Sequence, residues 1–188
     1  MNLLDRAINY ATEKHSGDIR KMEGTPYILH PLEVAAIVGT ITRDEEIIAA
    51  AVLHDTVEDT DATLSEIMEL FGPRVAELVA GETEDKRPYM LPEASWRIRK
   101  EESLEALEKS DDIAEKILWL GDKLSNIRSL HRAWRRYGDT IWENFNQKDP
   151  AEHAWYYHTI SDLLSDLDDQ DAYIEYVRLV KEVFGERD

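Results

Sequence analysis

Residues His54-Asp55-Thr56-Val57-Glu58-Asp59 put one imidazole and three carboxylates into six positions, directly after the apolar run Ile47-Ile48-Ala49-Ala50-Ala51-Val52-Leu53. Apolar side chains on every side of that run describe a helix packed all round. A buried helix carries acidic groups only where something compensates their charge, and a divalent cation would do so. If the helix continues through Asp59, His54 and Glu58 stand one turn apart, as do Asp55 and Asp59. The set then projects over a limited arc at the helix's C-terminal end, where the dipole also favours a cation. A His-Asp pair alone arises easily by chance, so its partners must come from elsewhere in the chain.

Two remote positions offer them. His30 lies between the turn Gly24-Thr25-Pro26-Tyr27 and Pro31, at a helix entrance, where it could act as a ligand or simply cap and pack. Asp122 adjoins the apolar stripe 117, 120, 124, 127 and 130, with Asn126 one turn further on the same side. A carboxylate at the margin of a packed face is costly unless paired, whether with a metal or with a nearby lysine or arginine. Gly121 beside it weakens the helix and hints at a close approach. His131, His153 and His158 have no companions at metal spacing, and His15 reads as a surface residue.

The elements that must hold these residues are helical almost throughout. Helices are expected over about 3–15, 31–40, 44–58, 63–71, 73–81, 94–109, 112–133, 137–145, 149–168 and 171–184. Thr63, Pro73 and Pro150 mark helix starts. Strict polar/apolar alternation and Asn-Gly or Asp-Gly turns are missing, so the class is all-α, one domain over residues 1–188. Loops at about 16–29 and 83–93 fall beside the candidate chemistry, as binding loops often do. Cysteine is absent, which leaves nitrogen and oxygen as the only metal ligands. No signal pattern or membrane-length apolar run is present, which favours a cytoplasmic protein with no membrane partner. The formal net charge of −18 opposes nucleic-acid binding, while local basic clusters could still focus a field on a small polyanion.

Four segments in order carry a more specific likeness. Gly24-Thr25-Pro26-Tyr27-Ile28-Leu29-His30-Pro31, Leu53-His54-Asp55-Thr56-Val57-Glu58-Asp59-Thr60, Thr83-Glu84-Asp85-Lys86 and Gly121-Asp122-Lys123-Leu124-Ser125-Asn126-Ile127-Arg128 resemble successive signatures of the alarmone hydrolases. These are small stand-alone relatives of the hydrolase half of RelA/SpoT homologues, within the HD-domain metal-dependent phosphohydrolases. The likeness runs over about residues 17–130 and more weakly through a helix with Trp155-Tyr156-Tyr157.

The resemblance implies an all-helical HD fold of about ten helices with one divalent ion, typically manganese, on His30, His54, Asp55 and Asp122. It implies that Glu58 and Asp59 position or deprotonate the attacking water. Arg20 and Lys21 match a basic pair before the Gly-Thr-Pro turn, Lys123 and Asn126 match positions near substrate, and Tyr156 matches a ring lining the nucleoside pocket. The implied reaction removes the 3′-pyrophosphate of guanosine tetraphosphate or pentaphosphate, leaving GDP or GTP. Donor chemistry agrees independently, since two imidazoles and two carboxylates suit a mid-row divalent ion. Lys86, Arg97 and Arg99 could clamp the phosphates, arginine offering bidentate geometry. With no synthetase half after residue 188, the chain should degrade the nucleotide rather than make it. Segments 87–95 and 134–152 depart from the pattern and leave the nucleobase open. Two readings therefore stand beside the first: an HD-type phosphatase on another nucleotide (an adenosine alarmone, NADPH or a nucleoside monophosphate), and a non-catalytic nucleotide-sensing or antitoxin-like module.

Overall fold

The helical pattern resolves into ten α-helices among the described residues, 1–20 and 23–186, in a computed structural model. Lys21 lies outside the described residues. The helices are α1 (Leu3–Lys14), α2 (Leu29–Ile41), α3 (Glu45–Leu53), α4 (Thr56–Asp59), α5 (Leu64–Phe71), α6 (Pro73–Glu82), α7 (Pro92–Lys109), α8 (Ile113–Tyr137), α9 (Pro150–Leu163) and α10 (Asp171–Phe184). Side-chain caps start several of them: Asp44 accepts from the Glu46 amide, Thr63 from Glu66, Asp112 from Ala114 and Asp149 from Ala151. Among the described residues there is no strand, only an isolated antiparallel bridge between Ile19 and Pro26. None of the helices is long and apolar enough to cross a membrane.

Four expectations need correction. Residues 137–145 form a 3-10 helix, Gly138–Asn144, and the helix expected to reach 168 ends at Leu163. The helix through Asp59 is broken at His54-Asp55. There, His54 Nδ1 lies 2.9 Å from the Ala51 carbonyl and Thr56 Oγ1 donates to the Leu53 carbonyl at 2.6 Å. These side chains serve carbonyls of α3's last turn in place of following amides, and the chain starts a new short helix, α4. His15 is buried rather than at the surface, because the loop after α1 folds back and sets the Tyr27 ring 4.8 Å from its own.

Helix α3 packs against α1, α2 and α6, and the long α8 packs against α2 and α10. The α2–α8 contact positions the site. A Cβ on Gly121 would stand 2.7 Å from Val38 Cγ2 and 3.3 Å from both Val34 Cγ1 and the Val34 carbonyl oxygen. Only a residue without a Cβ lets the two backbones approach this closely, which brings Asp122 of α8 against His30 of α2. Gly121→Ala should therefore destabilise the fold: overpacking costs roughly 1–3 kcal/mol, offset in part by about 1 kcal/mol of helix propensity. The melting temperature should fall by roughly 2–4 °C per kcal/mol of net loss in a chain of this size. An unchanged or raised value would show that the contact does not need a glycine.

Candidate metal centre and catalytic pocket

Three helix ends and the middle of α8 deliver the polar residues to one point. His30 Nε2 lies 3.0 Å from Asp122 Oδ1 and 3.4 Å from Asp55 Oδ2; His54 Nε2 lies 3.5 and 3.1 Å from the same two oxygens. The donor atoms of His30, His54 and Asp122 all fall within 4.8 Å of one another, and all three residues are buried. Asp55 reaches both imidazoles from the turn between α3 and α4, more exposed than the other three.

The tautomers follow from the partners of the other ring nitrogens. A carbonyl only accepts, so His54 Nδ1 carries the proton it gives to Ala51. Ser125 Oγ commits its proton to Glu33 Oε2 at 2.8 Å, so at 2.9 Å it accepts from His30 Nδ1. In the neutral form required of a ligand, both Nε2 lone pairs therefore face the carboxylates. His54 Nε2 is buried and makes no hydrogen bond to either of them. An orphaned nitrogen aimed between two carboxylates fits a divalent cation, and His30, His54, Asp55 and Asp122 are the residues that could hold one.

The electrostatics carry the same demand. Burial would push the Asp55 carboxyl up, but the imidazoles of His54 and His30 hold it well below the usual carboxylate range. Asp122 is likewise held low against burial by Lys123 and the two imidazoles. Burial lowers His54, yet Asp55 and Asp122 overcome that and raise it well above the ordinary value. Without a metal, the set thus draws in protons.

Around this centre lie the remaining carboxylates and cations. Burial raises Glu58 to about 7, although its bond from the Glu84 amide (3.2 Å) opposes this; the charges of Asp55, Glu84 and Asp59 add to the rise. Tyr27 points its hydroxyl at Asp55 Oδ2 (2.7 Å) and Asp59 Oδ2 (3.0 Å), tying a candidate ligand to a candidate catalytic carboxylate. Lys86 pairs with Asp59 and lies 3.8 Å from Glu58 Oε1. Asn126 donates to Asp122 Oδ1 at 2.7 Å and accepts from Arg20 at 2.9 Å. Lys123 bonds Asp122 Oδ2 and lies 3.7 Å from Glu82, a carboxyl that burial pushes to about 8.

A cavity of about 230 Å³ is lined by Arg20, Lys123, Asn126 and Tyr156, together with Trp96, Lys100 and Phe145. Arg20 and Phe145 also border a second cavity of about 480 Å³ that reaches Asp59 and Tyr27. The buried Tyr156 hydroxyl has no hydrogen-bond partner. Arg97 and Arg99 line neither cavity. Arg97 stacks on Trp155 at 3.3 Å and bonds Glu101 and Glu152; Arg99 bonds Glu84 at 2.9 Å. His153 sits among Trp96, Trp142 and Phe145, and His131 pairs with Glu182. Sequence reasoning missed Tyr27, Ser125, Glu82, Lys100, Trp96 and Phe145 as parts of the site. Of these, Lys100 was findable, one helical turn from buried Trp96 and so on α7's inward face.

The helical frame and the clustered His and Asp residues define a class, and comparison agrees: the HD domain family model matches residues 7–151. The chain belongs to the HD domain family. It is 46% identical over 134 residues to a Danio rerio protein named guanosine-3′,5′-bis(diphosphate) 3′-pyrophosphohydrolase, covering 69% of this chain and 70% of that one. It is 42% identical over 128 residues to the Brucella ovis GTP pyrophosphokinase rsh, covering 68% of this chain. The match spans only 17% of the length of that relative. A solved structure of a metazoan ortholog of SpoT, described as hydrolyzing ppGpp, superposes with a TM-score of 0.77 at 26% identity, covering 99% of this chain and 98% of the other.

A divalent ion on this donor set displaces protons, because ligation needs neutral imidazole and the raised His54 favours imidazolium. Apparent metal affinity should therefore weaken as pH falls. Calorimetric titration in two buffers of different ionisation enthalpy should give different apparent binding enthalpies; identical values would show that no proton leaves.

Proposed function

We propose that this chain hydrolyses the 3′-pyrophosphate of guanosine tetraphosphate or pentaphosphate to GDP or GTP, in the cytoplasm, with one Mn²⁺ held by His30, His54, Asp55 and Asp122. The observation that carries the reading is the placement of Glu58 and Asp59 on the turn beside the His30, His54, Asp55 and Asp122 donor set, with burial raising the Glu58 carboxyl to about 7. The Danio rerio relative and the SpoT ortholog, by what they are named for, supply the substrate.

When bound, the ion lowers the pKa of a water and polarises a phosphoryl oxygen. Glu58, raised by burial but still able to ionise near neutral pH, takes the proton of the attacking water. Asp59, held by Tyr27 and Lys86, fixes where that water stands. The new bond joins the water oxygen to phosphorus while the bond from phosphorus to the ribose 3′-oxygen breaks; that oxygen takes up a proton from solvent to become the 3′-hydroxyl, Glu58 returns its proton to solvent, and GDP or GTP and pyrophosphate leave. Lys123, Arg20 and Asn126 meet the phosphates from the cavity wall, with Lys86 exchanging Asp59 for a phosphoryl oxygen. Cations placed in advance stabilise the charge that builds on the equatorial oxygens. Tyr156 and Trp96 face the nucleoside, the unpartnered Tyr156 hydroxyl offering it a hydrogen bond. In this reading Arg99 keeps Glu84 in place, and Arg97 holds α7 to α9 through Glu152 and Trp155.

Purified protein with Mn²⁺ and guanosine tetraphosphate should release pyrophosphate and GDP. Its rate should drop as pH falls into the range where Glu58 takes up a proton, about 7 in the metal-free site and lower once a cation balances Asp55, because the base works only when unprotonated. Glu58→Gln should lower kcat by roughly 100-fold or more and abolish that acidic limb. No pyrophosphate at enzyme concentrations matching the substrate would sink the reading. Parallel reactions with adenosine alarmones, NADPH and nucleoside monophosphates then report which nucleotide, if any, is the substrate.

A further inference from the structure

Behind His30 a chain of hydrogen bonds runs from the candidate metal centre to the molecular surface. His30 Nδ1 donates to Ser125 Oγ (2.9 Å), and Ser125 donates to Glu33 Oε2 (2.8 Å). Arg128 donates through one terminal nitrogen to Glu33 Oε1 (3.1 Å), and through Nε and the other terminal nitrogen to both oxygens of Glu175 (2.9 and 2.6 Å). The spacing in the chain explains the alignment: His30 and Glu33 lie three apart on α2, Ser125 and Arg128 three apart on α8, so two one-turn pairs face each other across the Gly121 contact. Glu175 closes the series from α10, which lies beyond the residues matched by the HD domain model.

The two imidazoles are held differently. His54 is oriented by a carbonyl of its own helix, which no side-chain change can remove. His30 depends on side chains from α2, α8 and α10. Ser125 is wholly buried and has one proton to give, so its orientation is set by Glu33, and Glu33 in turn is fixed by a guanidinium bonded to two carboxylates at once.

We propose that Ser125 and Glu33 are positioning residues for the metal centre, and that Arg128 and Glu175 anchor them to α10, so that the C-terminal helix helps set the metal affinity of His30. The proposal rests on the reading of His30 as a ligand. Removing the hydroxyl frees the ring to rotate and to take the other tautomer, which withdraws the Nε2 lone pair from the site; partners of this kind are worth roughly 10–100-fold in affinity. Lysine at 128 keeps the charge but lacks the planar fork that spans Glu33 and Glu175.

The test is the Mn²⁺ dissociation constant of the full chain, measured by competition with a chromophoric chelator, alongside the metal-free melting temperature and the KM for guanosine tetraphosphate at saturating Mn²⁺. S125A and E33A should bind Mn²⁺ roughly 10-fold more weakly. R128K and E175Q should lose at least about twofold, with KM unchanged in all four. R128K and E175Q alter residues about a third exposed, so their loss of affinity supports the relay even if S125A melts early. Wild-type protein that binds no Mn²⁺ overturns the ligand reading and the relay with it. Wild-type binding that all four variants leave unaltered overturns the relay alone, as does a lowered metal-free melting temperature with affinity intact, which would make the network purely structural.

Discussion

Two carboxylates and two imidazoles occupy a space that the surrounding helices largely close to water, and that arrangement is stable only with positive charge among them. Asp122 and both histidines are buried, so solvent cannot do the compensating. Much of the packing around them serves to bring the four together. A helix apolar on every side carries His54 into the interior, and the missing side chain at Gly121 lets α8 deliver Asp122 to His30. The same closeness that makes the set costly when bare suits it to a cation, since each candidate donor is already oriented by a bond on its far side: Ala51 for His54, Ser125 for His30, Tyr27 for Asp55, and Asn126 with Lys123 for Asp122.

Outside that centre the scarce resource is basic charge. With a formal net charge of −18, the protein repels a polyanion at long range, and at physiological ionic strength that repulsion is screened beyond about 8 Å. Capture then depends on local cations, and each near the cavity already has a carboxylate partner: Lys86 with Asp59, Lys100 with Glu84, Lys123 with Asp122, Arg20 with Glu23. These pairs keep long side chains in place before any ligand arrives, which reduces the ordering cost of binding. An incoming phosphate has to take over one side of each pair. That favours ligands with several negative groups over a lone phosphate.

Much of this was legible in the residues because helix ends and helix faces are local properties. His30 before Pro31, His54-Asp55 after an apolar run and Asp122 beside a core stripe announce a buried polar cluster, and the fold brings them together. The break between α3 and α4 was not legible, since it arises from two side chains competing for backbone carbonyls, and continuing the helical period across them is the natural assumption. The basic residues of α7 show the other limit. Composition offers Arg97, Arg99 and Lys100 equally; burial of Trp96 against α9 rings decides the rotation of the helix and puts Lys100 on the cavity. Tyr27 and Ser125 were hidden for a similar reason, because their importance lies in partners about 30 and 95 positions away in the chain.

Side-chain exposure rises outward from the centre: 1–6% for His54, His30 and Asp122, 19% for Asp55 and Glu58, 31% for Asp59 and 47% for Lys86. The order matches what the proposed reaction would ask of each group. Metal ligands would have to keep one geometry and are packed and bonded on every side, whereas the proposed base would have to exchange protons with water and the proposed phosphate clamp to release its resting partner. Glu58 stands at the boundary, buried enough for its carboxyl to rise to about 7 yet in contact with solvent. Deeper burial would raise it further and leave it protonated at neutral pH, while full exposure would return it to the ordinary carboxylate range and weaken it as a base. The kink after His54 is what sets this depth: it ends the buried helix at the donors and lets the next turn, with Glu58 and Asp59, emerge toward the cavity.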